Sequence, residues 1–479
     1  MKMIKYIFTL AIAFTAFSCS EDAMDEVNKD LNNSIAMDAK NLLPDAILKT
    51  SFETTATDLA WYATVYIEHS AGTWAQSSDA DKRVGQASAS LVNNSWNNIY
   101  DLLTICKTIL AKTDPTNGEE FDNYWVRGVT QILTAYNLAV ATDMWGEIPW
   151  TEASLGTLNL KPKYEKQSVI YGYIQAMLDD AIVNLNKATI MSADKDYLYG
   201  SLNTLATNKA AWIRAAYSLK ARYYMRLSQR DNNAAASALT ALANGFTAAN
   251  QGLIFAKYEA SNTKSNPWWE FRFVRAHLSA STTLLGIMDE RNDPRRDVYF
   301  TKVGGNLVPA PNGSALEVQT GTYSRSLLTD GNTAARTVPT PLVTYHELKF
   351  IEAEAKFRSN NSTWKAALQE AVVAAFASKG LATGAAYYTA EVESRLTAGN
   401  ELKEILTQKY IAMYEAEAME SYNDYRRTGI PTMKNPLNTT IGFVNRFPYA
   451  LSEESSNSAN VPKVDIYKDK VWWAGGAEK

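Results

Sequence analysis

Cysteine and histidine are nearly missing from these 479 residues, which hold two Cys and three His. The two thiols, Cys19 and Cys106, are too few for the disulfide framework on which small exported folds depend. Stability must then come from a large apolar core, and a chain of this length can supply one. His69, His277 and His346 are scattered, which argues against a histidine-based metal site. His346-Glu347-Leu348-Lys349-Phe350 begins like a zinc-protease helix, but Phe350 stands where the second His is required. No glycine-rich phosphate cradle and no Gly-x-Ser-x-Gly elbow occurs. A basic excess is missing too. The formal net charge is −4, which argues against nucleic acid or anionic lipid as a partner surface. A glycosidase needs only two carboxylates at a set separation, so a surface glycoside hydrolase stays open as the enzymatic alternative. The expectation is a protein that is not an enzyme and has no cofactor and no metal.

Long hydrophobic runs are also absent, with one exception. Ile7 to Phe17 is apolar apart from Thr9 and Thr15 and follows Lys2 and Lys5. It is shorter than the roughly 20 residues a membrane span needs, so it reads as a removable secretory signal. It ends in Ala16-Phe17-Ser18-Cys19, which resembles a bacterial lipobox. That resemblance implies a signal peptide over 1–18, cleavage before Cys19, and diacylglycerol and a fatty acyl chain such as palmitate on that cysteine. Loss of Lys2 and Lys5 would bring the charge to −4 − 2 = −6. Residues 19–33 then read as a flexible tether, acidic through Glu21, Asp22, Asp25 and Glu26. An acidic run in this position resembles a signal for outward display in some Gram-negative surface lipoproteins. Cys106, inside Leu102-Leu103-Thr104-Ile105-Cys106, reads as a small buried hydrophobe.

What the chain does have is aromatics, with 12 Trp and 26 Tyr, and helical periodicity. The spacing predicts helices over 91–112, 121–144 and 167–187. A fourth is marked by Trp212, Ala215, Ala216, Leu219, Tyr223 and Leu227, one face of a 3.6-residue period. Pro341 is expected to open a fifth helix running to Phe357. Trp364 to Ser378 makes a sixth, and Leu402, Ile405, Leu406, Tyr410 and Met413 mark a seventh. Short connections predict antiparallel neighbours. The fold class is therefore mainly α. A helical-pair scaffold of tetratricopeptide-like kind forms one domain over 34–479, with a loop-rich subregion over 245–340 packed onto it.

Several motifs then fall in order. Asp143-Met144-Trp145-Gly146-Glu147-Ile148-Pro149-Trp150 resembles the hallmark of the SusD/RagB family of outer-membrane nutrient-binding lipoproteins. Pro44-Asp45-Ala46-Ile47-Leu48 is similar to the family's opening helix, and Trp212 to Ser228 to its central one. Tyr345-His346-Glu347 with Glu352-Ala353-Glu354-Ala355 resembles its late acidic helix. Gln408-Lys409-Tyr410 and Tyr425-Arg426-Arg427-Thr428-Gly429-Ile430-Pro431 resemble its closing signature. Arg446-Phe447-Pro448-Tyr449, Glu453-Glu454 and Asn457 resemble the terminal segment of the SusD-like subfamily. The resemblance implies four tetratricopeptide-like pairs, an outer-membrane location facing the medium, and capture of an oligosaccharide or, in some members, a peptide. It also implies a TonB-dependent transporter of the SusC type as partner, over which the protein closes as a lid.

The hallmark residues read as structural. Gly146 suits the positive φ of a helix end, Trp145 and Trp150 suit core packing, and Arg426 and Arg427 suit ties to buried carboxylates or carbonyls. Ligand contact is expected from two loops that pair aromatic planes with polar side chains. One carries Trp74, Gln76, Asp79 and Arg83; the other carries Trp268, Trp269 and Arg272, with Tyr258 upstream.

Overall fold

The computed structural model describes residues 37–261, 263–328 and 334–479. The expected signal peptide, Cys19 and the tether lie outside the described residues.

The helices follow from the apolar stripes. In chain order they are α1 (Ala39–Lys49), α2 (Asp58–Tyr66), α3 (Ala75–Asp81), α4 (Asn93–Lys112) and α5 (Tyr124–Trp145). They continue with α6 (Gln167–Lys187), α7 (Leu205–Arg226), α8 (Ala234–Leu242), α9 (Thr282–Asp289), α10 (Tyr345–Arg358), α11 (Trp364–Ala377), α12 (Glu401–Ala412) and α13 (Ala418–Thr428). Each long helix packs on its successor: α1 on α4, then α4 on α5, α5 on α6, α6 on α7, α7 on α8, α8 on α10 and α10 on α11. This is a stack of antiparallel helical pairs, with α2 and α13 packed together.

Helix α5 lies at the centre and is buried along almost its whole length. Asn123 caps it, its side chain accepting the Val126 N–H at 3.4 Å. Gly146, at φ 85°, ends it. Trp145 and Trp150 are buried, and the Trp145 indole donates to Pro448 O at 2.9 Å. In α7, Trp212 donates to Asp196 Oδ2 at 2.8 Å and Thr204 supplies the N-cap. Cys106 is fully buried in α4, and burial pushes its thiol up to about 12.

One expected boundary is wrong. Pro341 does not open a helix: it lies in a strand, β4 (Thr340–Val343), and Thr344 caps the helix that follows by accepting the Glu347 N–H. The reason is a distant partner, since β4 pairs with β2 (Leu253–Phe255). A second antiparallel ribbon joins β1 (Ser70–Gly72) to β3 (Leu278–Ala280), with Ser70 opposite Ala280 and Gly72 opposite Leu278. Through these two ribbons the irregular segment 245–340 is laid onto the helices. Its Phe255, Phe271, Leu284 and Tyr299 join the same apolar core as α5 and α7.

Charged residues from five helices meet inside that body. Arg222 on α7 binds Glu347 on α10, its Nε at 2.8 Å from Oε1. Arg226 pairs with Glu420 on α13 and lies 3.5 Å from Asp143 on α5. Arg427 holds Glu354 (Nη2 to Oε2, 2.7 Å) and Asp424, which also takes Lys409 of α12 at 2.6 Å. Arg426 donates to Asn445 O at 3.1 Å. His346, from the segment that begins like a zinc-protease helix, pairs with Glu417 at 2.9 Å.

Candidate functional site

The β1–β3 ribbon positions the first loop. Beyond Gly72 the chain folds back so sharply that a Cβ on that residue would stand 1.7 Å from Ser77 O, which only glycine avoids. Thr73 is buried and held from both sides: its N–H donates to His277 O at 2.9 Å, and its carbonyl accepts the Val318 N–H at 2.8 Å. Trp74 comes next in extended conformation and α3 starts behind it. A backbone fixed in this way leaves the indole 38 % exposed, a large apolar plane held toward solvent.

Polar groups follow on the helix that it opens and on its neighbour. Gln76 and Asp79, three apart on α3, share a helix face; Gln76 is half-buried and Asp79 exposed. On the adjoining α2, Tyr62 is pushed up to about 12 by burial and by the negative charges of Asp58 and Asp79. Burial raises the Asp58 carboxyl, and the Arg275 guanidinium pulls it partly back. Half-buried Trp61 stacks on Phe271 with centroids 4.0 Å apart and planes 13° apart. Arg275 is exposed, and its carbonyl accepts the Gln319 side-chain N–H at 2.8 Å. Burial and the Arg275 charge both lower the pKa of His277 beside it, favouring the neutral ring. The two ribbon strands thus bring positions 58–79, 271–279 and 318–319 to one face. It offers aromatic planes for the apolar C–H faces of a ring, carboxylates to accept hydroxyl protons, and a guanidinium and amide to donate.

Of the residues chosen from sequence, Trp74, Gln76 and Asp79 are brought together there. The others are buried and engaged with the protein. Arg83 turns inward, donating to Ala80 O at 2.7 Å and Asn438 Oδ1 at 2.6 Å. The Tyr258 hydroxyl shares a hydrogen bond of 2.7 Å with Thr340 Oγ1. Trp268 is 2 % exposed. Trp269 is buried with the Arg336 guanidinium 4.5 Å from its ring. Arg272 is buried and donates to Ser326 O at 2.6 Å. The cause is local. Asn266 accepts the N–H groups of Trp268 and Trp269 and donates to Val338 O at 2.6 Å, which turns Pro267-Trp268-Trp269 into the interior.

Asp58, Trp61 and Arg275 were not picked out from sequence. Asp58 and Trp61 sit three apart on α2, whose apolar residues surround the helix and blur its period. The usable signal was that spacing, an acid and a tryptophan on one helical face.

A family model described as starch-binding and associating with the outer membrane, of the SusD-like kind, matches residues 32–449. Among solved structures, a SusD/RagB family protein from Bacteroides thetaiotaomicron is 32 % identical. The match covers 92 % of this chain and 100 % of that one, with a TM-score of 0.83. A chitin-binding SusD homologue from Flavobacterium johnsoniae is 20 % identical over 92 % of this chain and 99 % of its own, with a TM-score of 0.75. A SusD homologue from Parabacteroides distasonis is 18 % identical over 92 % and 98 %, with a TM-score of 0.77. No functionally curated protein matches the chain.

Proposed function

We propose a function for this chain from one premise: it belongs to the SusD/RagB family of outer-membrane-associated proteins. It captures an oligosaccharide on the face around Trp74 and passes it to a TonB-dependent transporter of the SusC type. Lipid on Cys19 holds it to the outer membrane, facing the medium.

The observation that carries the ligand class is Trp74 itself, exposed on a turn whose preceding residue is fixed by backbone bonds on both sides, with Gln76 and Asp79 on the helix that follows. A pyranose has apolar faces and a rim of hydroxyls, and this arrangement supplies a partner for each. Starch is the ligand in the family model's description and chitin that of the Flavobacterium homologue; both support a glycan. Relatives of this kind act by binding, and nothing in the proposed role requires bond breaking.

The experiment is a glycan-binding screen on the protein and its Trp74→Ala variant, with melting temperatures measured alongside. Removal of one stacking plane is worth about 0.5–1.5 kcal/mol, so affinity for the bound glycan should fall about two- to tenfold at unchanged stability. Equal affinity would remove Trp74 from the site. Shortened products after incubation would replace capture by hydrolysis, and retention of peptides in place of glycans would assign the same face to a peptide ligand. After gentle solubilisation of the membrane the protein should copurify with a β-barrel transporter; recovery only as a monomer would count against that partner.

A further inference from the structure

Away from the Trp74 face lies a groove of about 630 Å³. One wall is the end of α1 and the turn after it, with Leu48 and Phe52. The other is formed by Phe255, Lys257, Tyr258 and Glu259 with Thr263 and Lys264, and Tyr197 completes the lining. Tyr258 is anchored here by its bond to Thr340, with the edge of its ring against Phe255 at 5.0 Å. Leu48 and Tyr197 are 43 % and 36 % exposed, so among the described residues these two apolar side chains stay open to solvent, above the buried Phe255 and Tyr258.

We propose that this groove is a second carbohydrate subsite, an inference that rests on the reading of the chain as a glycan binder. Its volume falls within the roughly 300–1,000 Å³ of small-molecule sites. Its charges select the ligand class. Lys49 pairs with Glu53 at 3.5 Å and Lys264 with Glu259 at 3.1 Å, all four lining the groove. Each pair presents donors and acceptors with no net charge, which suits neutral hydroxyls. Asp45 and Lys257 complete the charged lining, three acids against three lysines, so the groove carries no net charge to favour an ionic ligand.

The groove is also linked to the Trp74 face along the chain: residues 52–61 run from Phe52 in its wall to Trp61, which stacks on Phe271. Five residues separate Phe52 from Asp58, so their Cα atoms stand at most about 22 Å apart even when the chain is fully extended. A linear oligosaccharide of several residues can lie across both places, and the groove then reads chain length.

The test uses the full chain in detergent micelles on an array of neutral oligosaccharides of increasing length, drawn from starch, chitin and other polysaccharides. Tyr197→Ala should lower binding of the longest bound members at least fivefold while leaving the shortest within twofold. Trp74→Ala should lower every length. Phe52→Leu joined to Tyr197→Ala should deepen the length effect, and the exposed Tyr197 alone keeps the test readable if the double variant melts early. Parental binding of every length by Tyr197→Ala overturns the groove and leaves the Trp74 face standing. Failure of the parent to bind any neutral glycan overturns the proposed function, and the groove with it.

Discussion

Asp81 and His69 flank the first loop and titrate in opposite senses. Asp81 is 1 % exposed; burial pushes its carboxyl up to about 7, against the Gly313 N–H it accepts at 2.6 Å and the nearby Arg83. Between about pH 4 and 7 the folded chain keeps a proton there that the unfolded chain has released, so this group makes stability fall as pH rises through that window. His69 is fully buried and lowered to about 3 by burial, despite its bond to Tyr410 O at 2.8 Å. The unfolded chain takes up that proton below about pH 6.5 and the folded one does not, so this group makes stability fall as pH falls from 6.5 toward 3. Asp81→Asn keeps an acceptor for Gly313 and removes only the first slope. Its melting temperature should therefore climb more steeply from pH 4 to 6.5 than the parent's and should not decline from 6.5 to 7. Profiles of one shape would refute the Asp81 titration. At this scale the sequence was only partly readable. Trp74 and Trp268 look alike as loop tryptophans, and what separates them is the partner of the neighbouring backbone. Thr73 is bonded to residues 277 and 318, whereas Asn266 is bonded to residues 336 and 338; such distant pairings leave no local mark.

Among the elements, the close approach of α5 and α6 depends on Gly128, where an added Cβ would stand 2.7 Å from Leu185 Cγ. Gly128→Ala gains about 1 kcal/mol of helix propensity, but overpacking costs about 1–3 kcal/mol. The net expectation is a loss of stability in chemical denaturation, and Gly128→Ala combined with Leu185→Ala should lose less than the sum of the two single variants. A stabilised single variant would show that the helices can separate freely. Helices were the most legible part of this chain: α6 spans the expected residues, and α4, α11 and α12 begin or end within two of them. Their stripes are local, so periodicity suffices. The start of α10 misled because Pro341 fits a first turn as well as an edge strand. A better sign was present in Thr344-x-x-Glu347, a capping pattern. The ribbons of three or four residues that position the site are too short to carry any alternation of their own.

For the whole molecule, four of the motifs that carry the family resemblance, those of α5, α7, α10 and the closing signature, meet in the buried charge network. They were legible as motifs, but their shared destination was not, because Asp143, Glu354 and Arg427 come from helices far apart in sequence. Glu354 is 1 % exposed on its side chain, gripped by Arg427 through two parallel contacts. Arg427→Met leaves that carboxylate buried without its main partner and should cost about 3–5 kcal/mol. Arg427→Lys should recover only part of this, because a single ammonium cannot reproduce the planar fork. A loss below about 1 kcal/mol on denaturation would make the pair incidental. The ribbons tie the molecule together in a different way. Main-chain hydrogen bonds are nearly indifferent to the side chains they carry, so a body held by α5 and its charges and a surface held by β1–β3 and β2–β4 answer to separate demands. Substitution of the exposed Trp74, Asp79 and Arg275 should therefore have little effect on whether the helices assemble, whereas Trp268 and Phe271 in the same loops answer to the core. Under the proposed function, a Trp74 turn grafted from a relative with another glycan preference should carry that preference with it while the helices assemble as before.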